Sequence, residues 1–115
     1  MRKKDFKGRC VKKTLSKCKV VCKTYDNIQT AYADILQAES DIKEIKCNVL
    51  LDNFDMDGSY TTDFFIVKSS GDIAIRECVN RNHLVKPMTI KLLDFSKDYW
   101  SRRGVIDWGL IINEK

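Results

Sequence analysis

Residues 60–79 read YTTDFFIVKSSGDIAIRECV. Two runs rich in β-branched and aromatic residues flank Ser-Ser-Gly-Asp, a pattern that predicts an antiparallel hairpin. No other feature constrains the fold as much, because a hairpin needs further elements to cover its apolar faces. Facing residues in such a hairpin have numbers that sum to a constant. A turn centred on Ser70-Gly71 gives a sum of roughly 141, which sets Asp63 opposite Cys78 and diagonal to Glu77 or Val79. Ile73, Ile75, Glu77 and Val79 then share one face of the second strand.

The flanking segments show what covers the hairpin. Asp26 followed by Gln29 resembles a capping box, and Ile28, Ala31, Tyr32, Ile35 and Leu36 recur at helical spacing, so a helix is expected over 27–38. From Ile42 the period changes to two, with Ile45, Cys47 and Val49 alternating with polar neighbours as in a strand. After a turn or loop at 51–60 and the hairpin comes a second helix over about 87–102. Pro87 opens it, Met88, Leu92, Phe95 and Tyr99 form its stripe with Leu93 and Trp100 beside them, and Gly104 closes it. VIDWGLII (105–112) reads as a buried strand with Trp108, Leu110 and Ile112 on one face. The order is helix, three strands, helix, strand. Short loops make the first three strands an antiparallel meander, and the crossover helix lets the fourth pair in parallel. The expected architecture is an α/β sandwich, a mixed sheet flanked by helices.

A chain of 115 residues holds one domain with a core but not two. The expected division is a basic N-terminal arm over 1–24 and one α/β domain over 25–115. The arm carries ten Lys/Arg against Asp5 alone, a local charge of +9 within the net +5, so residues 25–115 sum to −4. Arg2, Lys3, Lys4, Lys7, Arg9, Lys12 and Lys13 are the candidate nucleic-acid contacts, since each neutralised phosphate releases counterions. Arg76, Arg81, Lys86, Lys91, Lys97, Arg102 and Arg103 could extend that basic surface. A solvated tail and a solvated helix face are the simpler alternatives. No apolar run approaches the ~20 residues of a membrane span, and the N-terminus lacks the apolar segment of a secretory signal. A cytoplasmic location without membrane contact is expected.

The five cysteines, Cys10, Cys18, Cys22, Cys47 and Cys78, are odd in number with no secretory context, so reduced thiols are expected rather than disulfides. Zinc is not expected, because no C-x-x-C pair is present and His83 is distant. Asn53-x-Asp55-x-Asp57-Gly58 matches the start of a calcium loop, but its twelfth position is Phe64 where a bidentate acid is required, so an acidic loop is the better account. Trp100 and Trp108 are expected in the core rather than as base-stacking platforms.

Asp63 and Glu77 are the carboxylates best placed for chemistry. Mg²⁺ takes one or two carboxylates plus waters and phosphate oxygens, and can activate water for phosphodiester hydrolysis. Solvated strand ends paired with Arg76 or Arg81 are the alternative. The element order resembles the restriction-endonuclease-like αβββαβ core with its PD-(D/E)xK signature. Within it, Tyr60-Thr61-Thr62-Asp63-Phe64, Ser70-Gly71 and Glu77-Cys78-Val79 resemble the N-terminal nuclease domain of the TnsA transposon endonucleases, over roughly 25–112. Val79 stands at the position of the family's lysine and Gln29 at that of its first-helix glutamate; Lys68 and Lys46 are lysines that could substitute.

The resemblance implies a DNA-acting protein of a mobile element, with Asp63 and Glu77 holding Mg²⁺ or Mn²⁺ and Gln29 as an outer catalytic ligand. DNA and a transposase-like or other protein partner are implied, and a homodimer is allowed. The replaced groups give the alternative of a catalytically inactive DNA- or protein-binding module or regulator. An interaction domain without DNA contact is the third reading.

Overall fold

The computed structural model describes residues 11–19, 21–52 and 60–113. Strands β1 (Val11–Lys13) and β2 (Cys22–Thr24) pair antiparallel ahead of helix α1 (Asn27–Ala38). Then come β3 (Ile42–Leu50), β4 (Thr61–Lys68), β5 (Ile73–Val79), helix α2 (Pro87–Arg102) and β6 (Asp107–Ile112). The last four strands form one mixed sheet in the order β3-β4-β5-β6, with only β5-β6 parallel. No helix among the described residues is long and apolar enough to cross a membrane.

Local chemistry explains both helices. Asp26 Oδ1 accepts the Gln29 N–H at 2.7 Å and starts α1. The Gln29 side chain does not complete the expected box on Asp26; its Oε1 accepts the Tyr25 N–H at 2.9 Å. At the other end, Lys17 Nζ donates to the carbonyls of Leu36, at 3.2 Å, and Glu39. This remote lysine satisfies orphan carbonyls and places its charge at the negative end of the helix dipole. Helix α2 stops in a Schellman arrangement. Val105 N–H donates to Trp100 O at 2.9 Å and Gly104 N–H to Ser101 O at 3.1 Å, with Gly104 at φ +84°.

The two helices cover opposite faces of the sheet. Ala33 and Leu36 of α1 pack with Ile45, Phe64, Ile66, Ala74 and Cys78, whereas Leu92 and Trp100 of α2 pack with Leu51, Tyr60 and Ile75. Within α1 the buried stripe is Gln29, Ala33 and Leu36, so Ala31 and Ile35, expected inside, lie outside. In α2 the stripe is Thr89, Leu92, Leu93, Ser96 and Trp100, while Met88 is 40% exposed. In both helices a polar residue takes a position that hydropathy alone awards to an apolar one. Strand β6 is a sheet edge, so Leu110 and Ile112, expected buried, are each 39% exposed.

The hairpin register differs from expectation by one. Phe64 pairs with Arg76 and Phe65 with Ile75, a sum of 140. The reason is a three-residue loop: Gly71 N–H donates to Lys68 O at 2.8 Å, and Lys68 N–H to Asp72 O at 2.9 Å. Gly71 sits at φ +92°, a type I turn closed by a left-handed residue that glycine adopts without steric cost. At the base of the sheet Asp107 of β6 binds Lys68 of β4 at 3.0 Å and Arg76 of β5 at 2.8 Å. These contacts hold the Asp107 carboxyl below its ordinary range, the Lys68 hydrogen bond contributing most.

The cysteine expectation is corrected. Cys22 and Cys47 form a disulfide, because β2 lies beside β3 and brings their Cα atoms to 5.9 Å, an ordinary disulfide span. Cys18 and Cys78 lie outside that disulfide.

Candidate functional site

Where the β4-β5 ladder ends, side chains take over from backbone. Cys78 N–H donates to Asp63 Oδ2 at 2.6 Å, and Asp63 N–H donates to Glu77 Oε1 at 3.1 Å. The facing of β4 side chains slips here. Phe64 meets Tyr32 of α1 edge to face and Phe65 packs at a tilt against Trp100 of α2, yet Thr62 is reached from α2 and Asp63 from α1. Two successive side chains, Asp63 and Phe64, therefore turn towards α1.

Glu77 is the end point of two relays. Trp100 Nε1 donates to Thr62 Oγ1 at 2.8 Å, and that hydroxyl donates to Glu77 Oε2 at 2.9 Å. In parallel, Trp108 Nε1 donates to Ser96 Oγ at 3.0 Å, and Ser96 Oγ donates to the same Oε2 at 2.6 Å. The carboxyl thus accepts from Thr62, Ser96 and the Asp63 N–H at 0% exposure. A buried carboxyl requires such compensation, since an unmatched polar group in the interior costs several kcal/mol. Trp100 lies in the core at 7% exposure, as expected, whereas Trp108 is only half-buried against it, and both indole N–H groups feed this network.

Asp63, also 0% exposed, is the centre of a second network on the α1 side. Gln29 Nε2 donates to Asp63 Oδ1 at 3.3 Å and to Asn48 Oδ1 at 2.9 Å. Asn48 in turn donates through Nδ2 to Lys23 O at 2.6 Å. Its φ of +56° is a left-handed conformation that asparagine tolerates better than most residues. Gln29, Asp63 and Glu77 are therefore brought together, with Asp63 approached from α1 and Glu77 from α2.

The other candidates fall elsewhere. Val79 is buried at 5% exposure. Lys68, considered as a stand-in for the family's lysine, sits at the opposite end of β4 bound to Asp107. Lys46 lies over the Phe65 ring at 5.5 Å. Arg76 is held by Asp107, Arg102 by Asp98 at 2.9 Å, and Arg103 by the Tyr99 ring and Asp52. Lys86 and Lys91 have no ion-pair partner among the described residues. Arg2, Lys3, Lys4, Lys7 and Arg9 lie outside the described residues, as do Asn53, Asp55, Asp57 and Gly58 of the acidic loop. Lys12 and Lys13 fall on β1, where Lys12 is exposed. The loop's twelfth position, Phe64, is in the core at 0% exposure.

Thr62, Ser96 and Asn48 were not among the sequence candidates. Their signals are weak: a hydroxyl inside each of two apolar patterns, and an asparagine in mid-strand.

The cysteines form a separate constellation. The Sγ atoms of Cys18, Cys22 and Cys47 all lie within 4.8 Å of one another. Burial, and then the charge of Glu44, push the Cys18 thiol above its ordinary range.

No protein-family model matches the chain, and a search of curated proteins finds no match.

Proposed function

We propose that this chain is a DNA-binding member of the restriction-endonuclease-like fold, related to the TnsA domain and acting within a mobile element, in which the hydrolytic centre has become structural. The observation that carries the reading is the closure of both acids: Asp63 and Glu77 are each at 0% exposure with their oxygens engaged by protein donors. A catalytic Mg²⁺ or Mn²⁺ keeps several waters and must meet a substrate phosphate. Two sealed carboxylates offer neither. The sheet order, with three antiparallel strands and a fourth in parallel after α2, agrees with the αβββαβ core.

DNA contact rests on the basic N-terminal segment, which grips phosphates without reading sequence. A transposase-like protein would be the natural partner of such a module. The experiment is fluorescence anisotropy with a labelled duplex over a salt series. Each phosphate contact contributes a slope of about −0.9 in log K against log salt. Replacing Arg2, Lys3, Lys4, Lys7 and Arg9 with alanine should flatten the slope by several units and weaken binding. Salt-insensitive binding, or none in the wild type, would sink the DNA reading and leave protein interaction.

One contact favours a second reading, metal-dependent hydrolysis by Asp63, Glu77 and Gln29. Gln29 Nε2 reaches Asp63 Oδ1 from the helix on which the family carries its glutamate. An amide donating to Asp63, however, occupies an oxygen that an ion would need.

A further inference from the structure

We propose that Cys18, Cys22 and Cys47 form a redox-gated site for one zinc ion, empty of metal while the disulfide stands and competent once it is reduced. The three sulfurs come from three segments that the fold draws together: the turn before β2, the first residue of β2 and the middle of β3. Sequence spacing argues against a zinc site, but the spatial arrangement does not. Zinc–sulfur bonds of about 2.3 Å at tetrahedral angles set sulfurs roughly 3.8 Å apart, inside the 4.8 Å within which all three already lie.

The cluster is held by structure outside itself. Cys18 N–H donates to Leu15 O at 3.0 Å, and Ile45 N–H of β3 donates to Lys17 O at 2.9 Å. Gln37 Nε2 donates to Ser16 Oγ at 2.7 Å, tying the same turn to α1. Cys18 therefore keeps its place beside the cysteine pair without a covalent link to it. A groove of about 280 Å³, lined by all three cysteines with Lys19, Glu44 and Lys46, opens from the cluster. It gives a reductant and a metal ion access, and leaves the fourth coordination position to water.

The chemistry balances in two steps. A small dithiol passes two electrons and two protons to the Cys22–Cys47 disulfide; the S–S bond breaks, two protein thiols form, and the dithiol leaves as its own cyclic disulfide. Zn²⁺ then binds three thiolates and three protons are released to solvent. A small cyclic disulfide reverses the first step. It takes two electrons from the Cys22 and Cys47 thiolates, their S–S bond re-forms, and the oxidant leaves as a dithiol after taking two protons from solvent. Zn²⁺, left with Cys18 alone, is released as that thiolate takes a proton.

The test uses the full chain, prepared both oxidised and dithiol-reduced, with Zn²⁺ titrated against a chromophoric chelator. The reduced protein should take up about one Zn²⁺ per chain and the oxidised protein none. Cys18→Ser, which leaves the disulfide intact and can be purified folded in the oxidised form, should weaken Zn²⁺ binding after reduction by more than about tenfold. Co²⁺ added to the reduced wild type reports the ligands directly and should give thiolate-to-cobalt charge-transfer absorption. Equal Zn²⁺ uptake by oxidised and reduced protein, unchanged affinity in Cys18→Ser, or a Co²⁺ spectrum without thiolate bands would each overturn the proposal. None of these outcomes depends on DNA binding.

Discussion

Ser96 Oγ donates to Glu77 Oε2 at 2.6 Å, joining the middle of α2 to the end of β5 beneath the surface. Ser96 also accepts the Trp108 indole N–H, so one hydroxyl connects helix, central strand and edge strand. Ser96→Ala would leave the indole without its acceptor and remove a donor to Glu77. The expected loss is about 1–3 kcal/mol of stability, measured as a lower urea midpoint with unchanged slope. A midpoint within error of wild type would show that the relay contributes nothing to the fold.

Gln29→Glu tests the closed site from the other side. It replaces an amide donor 3.3 Å from Asp63 Oδ1 with a second carboxylate. Without metal the variant should lose about 1–3 kcal/mol, since a buried donor disappears and like charges meet. Millimolar Mn²⁺ should raise its melting temperature but leave the wild type unmoved, because only the variant gains from an ion between the acids. A wild type that Mn²⁺ stabilises equally would contradict the structural role assigned to Gln29.

The secondary structure was legible in residues 27–112 because period and punctuation agree there. The helix bounds follow from Asp26 and Pro87, and the hairpin from Ser69-Ser70-Gly71-Asp72. The register was not legible to the residue, since Ser69-Ser70-Gly71-Asp72 suits both a two-residue loop centred on Ser70-Gly71 and the observed three-residue loop closed by Gly71 at φ +92°. For the site, the hairpin pattern singled out Asp63 and Glu77 and the resemblance added Gln29, but neither showed their burial. That depends on Thr62, Ser96 and Asn48, polar residues whose partners lie 15, 19 and 19 positions away. The disulfide escaped for a similar reason: Cys22 and Cys47 are 25 residues apart and meet only because β2 lies against β3.

Asp107 contributes to the acid limb. Lys68 and Arg76 lower its folded-state pKa, so its contribution is present above the ordinary carboxyl value of 3.8 and is lost as pH falls through the lower folded value. Its side chain is 41% exposed, so solvent screening limits the contribution to at most about 1 kcal/mol. Asp107→Asn should therefore lower stability modestly at pH 6 and flatten the fall between pH 4 and pH 2. Parallel pH profiles for variant and wild type would show that the ion pairs do not couple to folding.

Reduction should weaken the metal-free protein. A cross-link over 25 residues removes about 3.5 kcal/mol of unfolded-state entropy. Denaturation with and without a dithiol, in the presence of chelator, should show a midpoint shift of that order. No shift would mean that the Cys22–Cys47 bond adds nothing to folding stability.

The central claim is that Asp63 and Glu77 hold the fold together rather than a catalytic ion. The most direct measurement is nicking of supercoiled plasmid DNA in Mn²⁺ by wild type, Asp63→Asn and Glu77→Gln, each first shown to be folded. The account predicts no nicking above background by any of the three, with salt-sensitive DNA binding retained by the wild type. Nicking by the wild type that either substitution abolishes would establish a working metal centre and contradict the account.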